Sequence, residues 1–245
     1  MVEEKVALVT GASRGIGRTV ARGLALDGFR LALVAQSLES LRSVAAEIAE
    51  LDSNSDSQPL LFPIDITEHD SVHKVVAEID KLWGRIDLFF NNAGVWSEGT
   101  LDLPIDEFER ILSVNFKAAF YFLQAVVPIM KRQGFGQIVN LVCITAKSAE
   151  PSWGVYSASK YGLFGLTEAI YQSLAKDGIK VTAICPSWVD TNMAIEAATP
   201  YQPQEMLQKE DILNTIRWLL KMSPSAAIKE VVIDCTSTLK LKSPT

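Results

Sequence analysis

Short runs of consecutive apolar residues alternate with longer amphipathic stretches along the whole chain. Residues 5–10, 29–35, 60–64, 86–91, 137–142, 179–185 and 230–233 are rich in Val, Ile and Leu and predict strands. These runs are apolar throughout rather than alternating, which suits strands covered on both faces. Between them, residues 15–27, 38–52, 68–82, 105–131, 155–177 and 204–222 carry helical spacing. Strand followed by helix, repeated, predicts an α/β fold: about seven parallel strands joined by right-handed crossovers, with helices on both faces. There are no internal repeats, and the polar stretch "LDSNSDSQP" is too short to separate domains. One domain over residues 1–245 is expected, with a frayed tail after about residue 236.

Composition narrows the function. The 245 residues are 48% hydrophobic, enough for a full core. A net charge of −6 argues against a nucleic-acid groove or an anionic membrane surface, since both need clustered Lys and Arg. The opening "MVEEKVALVT" lacks a basic-then-apolar leader, and no uncharged apolar stretch reaches bilayer length. Cys143, Cys185 and Cys235 are odd in number and far apart, which reads as reduced thiols in a cytoplasmic protein.

The first chemical signal follows the first strand. In "TGASRGIG", Gly11, Gly15 and Gly17 allow a tight turn and close backbone approach. The helix that follows offers free N–H groups and the positive end of its dipole to a pyrophosphate. Packing of helix on strand is the bland alternative for such glycines, and their place after the first strand of an alternating chain favours the phosphate cradle.

A second signal is "YSASK", which sets Tyr156 and Lys160 four residues apart on one helical face. A free phenol titrates near ~10, and bringing it to neutrality takes roughly 4 kcal/mol of differential stabilisation. A neighbouring ammonium favours the phenolate and pushes in that direction. Alone, the pair reads equally as a packed tyrosine beside a solvated lysine.

With "NNAG" at residues 91–94 and Asn115, these motifs resemble the short-chain dehydrogenase/reductase family in its classical form, over nearly the whole chain. The resemblance implies a Rossmann-type doubly wound sheet. It also implies an oxidoreductase interconverting a carbonyl and an alcohol, with Tyr156 as acid/base. Lys160 would lower the phenol's pKa and hold the nicotinamide ribose, and Asn115 would kink its helix and support Lys160 through a water. It further implies cofactor contacts from Ser13, Ile16, Asp65, Ile66, Asn91, Ala93, Gly94, Pro186, Val189 and Thr191, beside the three glycines, Arg14, Gln36, Tyr156 and Lys160. In "CPSWVDTNM" the family's usual glycine is replaced by Ser187, and its late "DGG" becomes "DCT" at Asp234, Cys235 and Thr236.

The departure that bears most on function is Cys143. It lies thirteen residues before Tyr156, where the family has a serine that donates to the substrate oxygen. A thiol is a weak donor. Losing such a donor outright costs on the order of 3–4 kcal/mol. Thr145, two residues on, would face the same side if the strand continued, and is a substitute donor. Two readings stay open: a carbonyl reductase with one weakened donor, and a dinucleotide-binding regulatory or scaffold protein with little turnover.

For the cofactor, "LVAQS" ends the second strand with Ala35, leaving no carboxylate to repel a 2′-phosphate. Gln36 stands where many NADP-using relatives have arginine, but Arg14 can approach the same phosphate and Ser37 can add a hydrogen bond, so NADP(H) is expected over NAD(H). Trp96, Trp153 and Trp188 fall in loops after strand ends, where open parallel sheets bind ligands, and suggest a small apolar or aromatic substrate. Core caps or a subunit contact are the alternative for these indoles. His69 and His73 have metal-pair spacing but no third ligand, and read as surface, so no metal is expected. A homodimer or homotetramer is expected by the family resemblance.

Overall fold

The computed structural model describes residues 4–51 and 58–242. Seven strands form one parallel sheet: β1 (Val6–Thr10), β2 (Arg30–Ala35), β3 (Leu60–Pro63), β4 (Leu88–Asn91), β5 (Gly136–Leu141), β6 (Ile179–Pro186) and β7 (Glu230–Ile233). Their order is β3-β2-β1-β4-β5-β6-β7, so the chain winds outward from β1, returns, and winds out the other way. The reversal lies between β1 and β4, which pair Ala7 with Leu88 and Val9 with Phe90.

Helices α1 (Gly15–Leu26), α2 (Leu38–Leu51), α3 (His69–Trp83), α4 (Ile105–Leu112), α5 (Ala118–Gln133), α6 (Gly154–Leu174), α7 (Asn192–Glu196), α8 (Lys209–Leu220) and α9 (Thr236–Lys242) complete the described fold. Successive strand residues feed opposite faces. Ala7 and Val9 pack in a core with α1, α2 and α8, whereas Val6 and Leu8 pack with α3 and α5. That double covering is why the strand sequences are apolar without alternation.

Three expectations change. The stretch 105–131 is broken at Ser113–Lys117 by a π-helical turn centred on Asn115. The helix expected from residue 204 begins at Lys209, because Gln208 and Asp211 form a capping box there. The tail expected to fray from about residue 236 forms α9, anchored through the buried Cys235. Most of "LDSNSDSQP" lies outside the described residues.

The run Ile105–Gln133 is by length and composition apolar enough to cross a membrane. In this fold it is a core helix: Ala118, Phe122, Val126 and Met130 are buried against the sheet side carrying Phe89 and Ile138.

Candidate active site

The site lies at the carboxyl ends of β1, β4, β5 and β6, where the strand order reverses. One continuous cavity of ≈ 490 Å³ runs from the glycine turn to the tryptophans.

The glycine turn is shaped for close approach. Gly11 and Gly15 hold φ of +64° and +54°, which L side chains rarely adopt. A Cβ on Gly17 would fall 2.1 Å from the Gly11 carbonyl oxygen. Asn92 Nδ2 locks the turn by donating to the Thr10 and Gly11 carbonyls at 2.9 and 3.2 Å, while the Thr10 hydroxyl accepts from the Asn92 and Ala93 N–H groups. Arg14 caps α1 without a side-chain cap bond, and no acid lies in the first turn. The helix start thus faces the cavity with unfilled donors and positive potential, and fits a dinucleotide pyrophosphate.

Ser13, Arg14, Gly15, Ile16, Gln36, Ile66, Ala93, Gly94, Pro186, Val189 and Thr191 all line this cavity. Three expected contacts do not: Gly17 packs beneath the turn, and Asp65 and Asn91 turn elsewhere. The Asp65 carboxylate accepts from the Thr67 N–H and hydroxyl at 2.9 and 2.8 Å, while its neighbours Ile64 and Ile66 line the wall. Asn91 donates to Asn140 Oδ1 at 3.0 Å, and Asn140 donates to Thr167 at 2.9 Å, a buried polar ladder tying β4 and β5 to α6. Adjacent strand side chains point oppositely, so Asn92 rather than Asn91 meets the glycine turn.

At the other end, Lys160 is 5% exposed and its ammonium donates to the Leu141 carbonyl at 3.1 Å. Asn115 accepts from the Val95 N–H at 2.8 Å and donates to the Val95 carbonyl and to Ser159 Oγ, at 2.9 and 3.0 Å. A Cβ added to Gly94 would lie 3.4 Å from Asn115 Oδ1 and 3.5 Å from Lys160 Nζ, so that glycine lets the loop pass over both. The π-helical turn aims Asn115 inward; its amide fixes the loop after β4, and the lysine is bonded to β5.

The expectation that Lys160 lowers the phenol's pKa is corrected in the protein alone. Burial pushes the Tyr156 phenol well above its ordinary value, and the neighbouring Cys143 adds to the rise. Burial likewise lowers the Lys160 ammonium, with Cys143 opposing. Dehydration is the largest cause for both groups, and Lys160 is not among the groups that shift the phenol.

Cys143 lines the cavity beside Tyr156 and Lys160. The strand that would have carried Thr145 to the same side stops short of it. β5 ends at Leu141 and residues Ile144–Ala146 form a 3₁₀ turn, closed by the Ala146 N–H on the Cys143 carbonyl at 3.1 Å. Thr145 nonetheless lines the same cavity, and its hydroxyl oxygen is buried without a partner.

The three tryptophans come together. Trp153 stands edge-on to Trp96 at 5.5 Å, to Trp188 at 5.2 Å and to Tyr156 at 6.5 Å. The loop bearing Trp96 is braced by Arg110, which donates to Ser97 Oγ at 3.1 Å and to Glu107 at 2.8 Å. Arg110 and Ser97 hold the Glu107 carboxyl down at about 2. His69 and His73 stack at 4.2 Å beside Tyr121, away from this cavity. Among the described residues no cluster of three or more His, Cys, Asp or Glu could hold a metal.

The sequence model of short chain dehydrogenases matches residues 5–202. The chain belongs to the short-chain dehydrogenase family. It is an oxidoreductase of that family, whose members act on small molecules with a dinucleotide. An uncharacterised oxidoreductase of Staphylococcus aureus strain USA300 is 31% identical over 234 residues, which cover 95% of this chain and 98% of the relative. A crystal structure of a betaketoacyl-[ACP] reductase from Bacteroides thetaiotaomicron superposes with a TM-score of 0.87 at 37% identity, covering 97% of this chain and 99% of the other. A metagenomic short-chain oxidoreductase in complex with NADP superposes at 0.81 with 29% identity, covering 94% and 96%. Ser187 and Cys235, two of the three glycine replacements noted above, are in contact in this fold.

Proposed function

We propose that the protein is an NADPH-dependent carbonyl reductase acting on a small apolar or aromatic ketone or aldehyde. The observation that carries this reading is a single one: Tyr156, Lys160 and Cys143 share a cavity with both the glycine turn and the tryptophan wall. When bound, the dinucleotide supplies the hydride. Tyr156 gives its phenolic proton to the carbonyl oxygen, and the buried site withholds competing water. The Lys160 ammonium holds the ribose and stabilises the phenolate left behind. Asn115 fixes the loop over the lysine, and Cys143 adds a weak S–H contact.

Cofactor choice follows from charge. Ala35 ends β2 and Gln36 follows it, both on the cavity wall and neither bringing a carboxylate. Arg14 lines the cavity with no acidic partner among the described residues, whereas Arg18 is paired with Glu47. A guanidinium fork facing the adenosine end favours a 2′-phosphate. A dimer through α5 and α6 is part of the reading, supported by the exposed Phe120 and Tyr161 on those helices. The three free thiols suit a reducing, cytoplasmic setting.

The test follows NADPH and NADH absorbance against aldehydes, diketones and aromatic ketones. NADPH should bind more tightly, with Arg14→Ala narrowing the gap, and Tyr156→Phe should lower turnover by about 10²–10⁴-fold while NADPH still binds. Equal affinities for the two cofactors would end the NADP assignment. Undiminished turnover in Tyr156→Phe would end the catalytic one.

A further inference from the structure

We infer that Thr145, rather than Cys143, is the principal hydrogen-bond donor to the substrate's carbonyl oxygen. The inference rests on the carbonyl-reductase reading and names a second catalytic group within it. Thr145 is 4% exposed, and its Oγ1 is shielded from water with no partner in the protein. Buried hydroxyls are nearly always bonded, so an orphan on a cavity wall calls for a partner that arrives from outside. Ser157 Oγ is also orphaned, but Ser157 does not line the cavity; Trp96 Nε1 is orphaned and lines it, but its ring packs on Trp153 in the tryptophan wall, whereas Thr145 lies in the turn that follows Cys143.

The Cys143 thiol lines the cavity beside the Tyr156 phenol, and S–H is a poor donor to a developing alkoxide. Thr145 lies in the 3₁₀ turn that follows Cys143 and lines the same cavity as Cys143 and Tyr156. A threonine hydroxyl has two common χ1 settings and a freely rotating proton, so one rotation can present O–H to an arriving oxygen. It keeps its proton throughout; the proton transferred is that of Tyr156. The free protein leaves the hydroxyl unpaired and the reacting complex pairs it, so its benefit falls on the transition state.

The experiment compares Thr145→Val, which keeps shape and removes the hydroxyl, with Thr145→Ser and Cys143→Ala, using NADPH and the parent's best ketone. Thr145→Val should lower kcat about a hundredfold with a smaller change in KM. Thr145→Ser should recover most of that loss, and Cys143→Ala should cost less than Thr145→Val. The cofactor-free Thr145→Val protein should melt above the parent, because an unpaired buried hydroxyl is gone. An active parent whose Thr145→Val variant keeps its kcat, or melts below the parent, overturns the inference and leaves the carbonyl-reductase reading standing. A parent inert toward every carbonyl compound overturns both.

Discussion

Ser187 Oγ lies 3.1 Å from Cys235 Sγ and accepts the Cys235 backbone N–H at 2.8 Å. Both positions, like that of Thr236, hold glycine in the family pattern that the sequence resembles, and these two replacements meet. The Cys235 thiol in turn bonds the Trp188 carbonyl at 3.1 Å, so the segment after β7 fixes one tryptophan of the cavity wall. Ser187 needs no glycine-like backbone, since Ala198 is the only described non-glycine residue with positive φ.

Ser187→Ala should therefore strand the buried Cys235 N–H and cost about 1–3 kcal/mol of stability. A thermal melt reads that loss. If Trp188 is loosened with it, KM for aromatic ketones should rise more than kcat falls. An unchanged melting temperature would mean that water replaces the serine at no cost.

Gly17→Ala should abolish dinucleotide binding without unfolding the protein. The added methyl would collide with the Gly11 carbonyl and Asn92 Nδ2, forcing the turn open. Gly165→Ala, in α6 with nothing within 4 Å of the new Cβ, is the matched control. It should bind cofactor normally and gain up to about 1 kcal/mol from helix propensity. Titration of NADPH by fluorescence, beside circular dichroism, separates the two; retained affinity in Gly17→Ala would remove the turn from the site.

The strands were legible because burial on both faces leaves continuous apolar runs, and the observed strands fall within or beside every predicted run. The glycine turn, Tyr156 and Lys160 were legible because their spacing is local. The break at Asn115 was legible only through the family resemblance, which implied a kink there, since the apolar pattern runs through it without interruption. Asn92 was overlooked beside Asn91 because identical neighbours conceal that strand residues face opposite ways. The edge-to-face stack of Trp96, Trp153 and Trp188 joins loops after three different strands, and no local pattern encodes such a meeting. Burial raising the phenol's pKa was equally invisible, because dehydration belongs to the tertiary fold.

The raised phenol makes a directional pH prediction. A pKa above the ordinary value keeps Tyr156 protonated to higher pH, and the reductive reaction uses the protonated form. Ketone reduction should stay nearly flat through the phenol's ordinary titration range near pH ~10 and decline only above it. Alcohol oxidation, which needs the phenolate, should climb through the same range. Cys143 adds to the upward shift, so Cys143→Ala should move the alkaline decline to lower pH. Reduction that falls steadily from neutrality upward would mean that the bound cofactor lowers the phenol past the effect of burial.

The serine position is the sharpest test of how this site departs from its relatives. Cys143→Ser places a stronger donor beside Tyr156, where charge develops on the substrate oxygen, so kcat should rise more than KM changes. A recovered 1.4 kcal/mol would correspond to about tenfold. If Thr145 already supplies one hydroxyl, the gain in the parent should be smaller than that, a few-fold. The same substitution should rescue Thr145→Val far more strongly, because there it restores the only hydroxyl of the pair. The double-mutant cycle is thus expected to be non-additive, as for neighbouring groups serving one atom. A small thiol-modifying reagent should inhibit the parent and spare Cys143→Ser, with NADPH and substrate protecting. Suppose instead that Cys143, its serine variant and its alanine variant turn over equally, both with Thr145 intact and in the Thr145→Val background. Cys143 would then be packing alone, and the donor would lie elsewhere on the cavity wall.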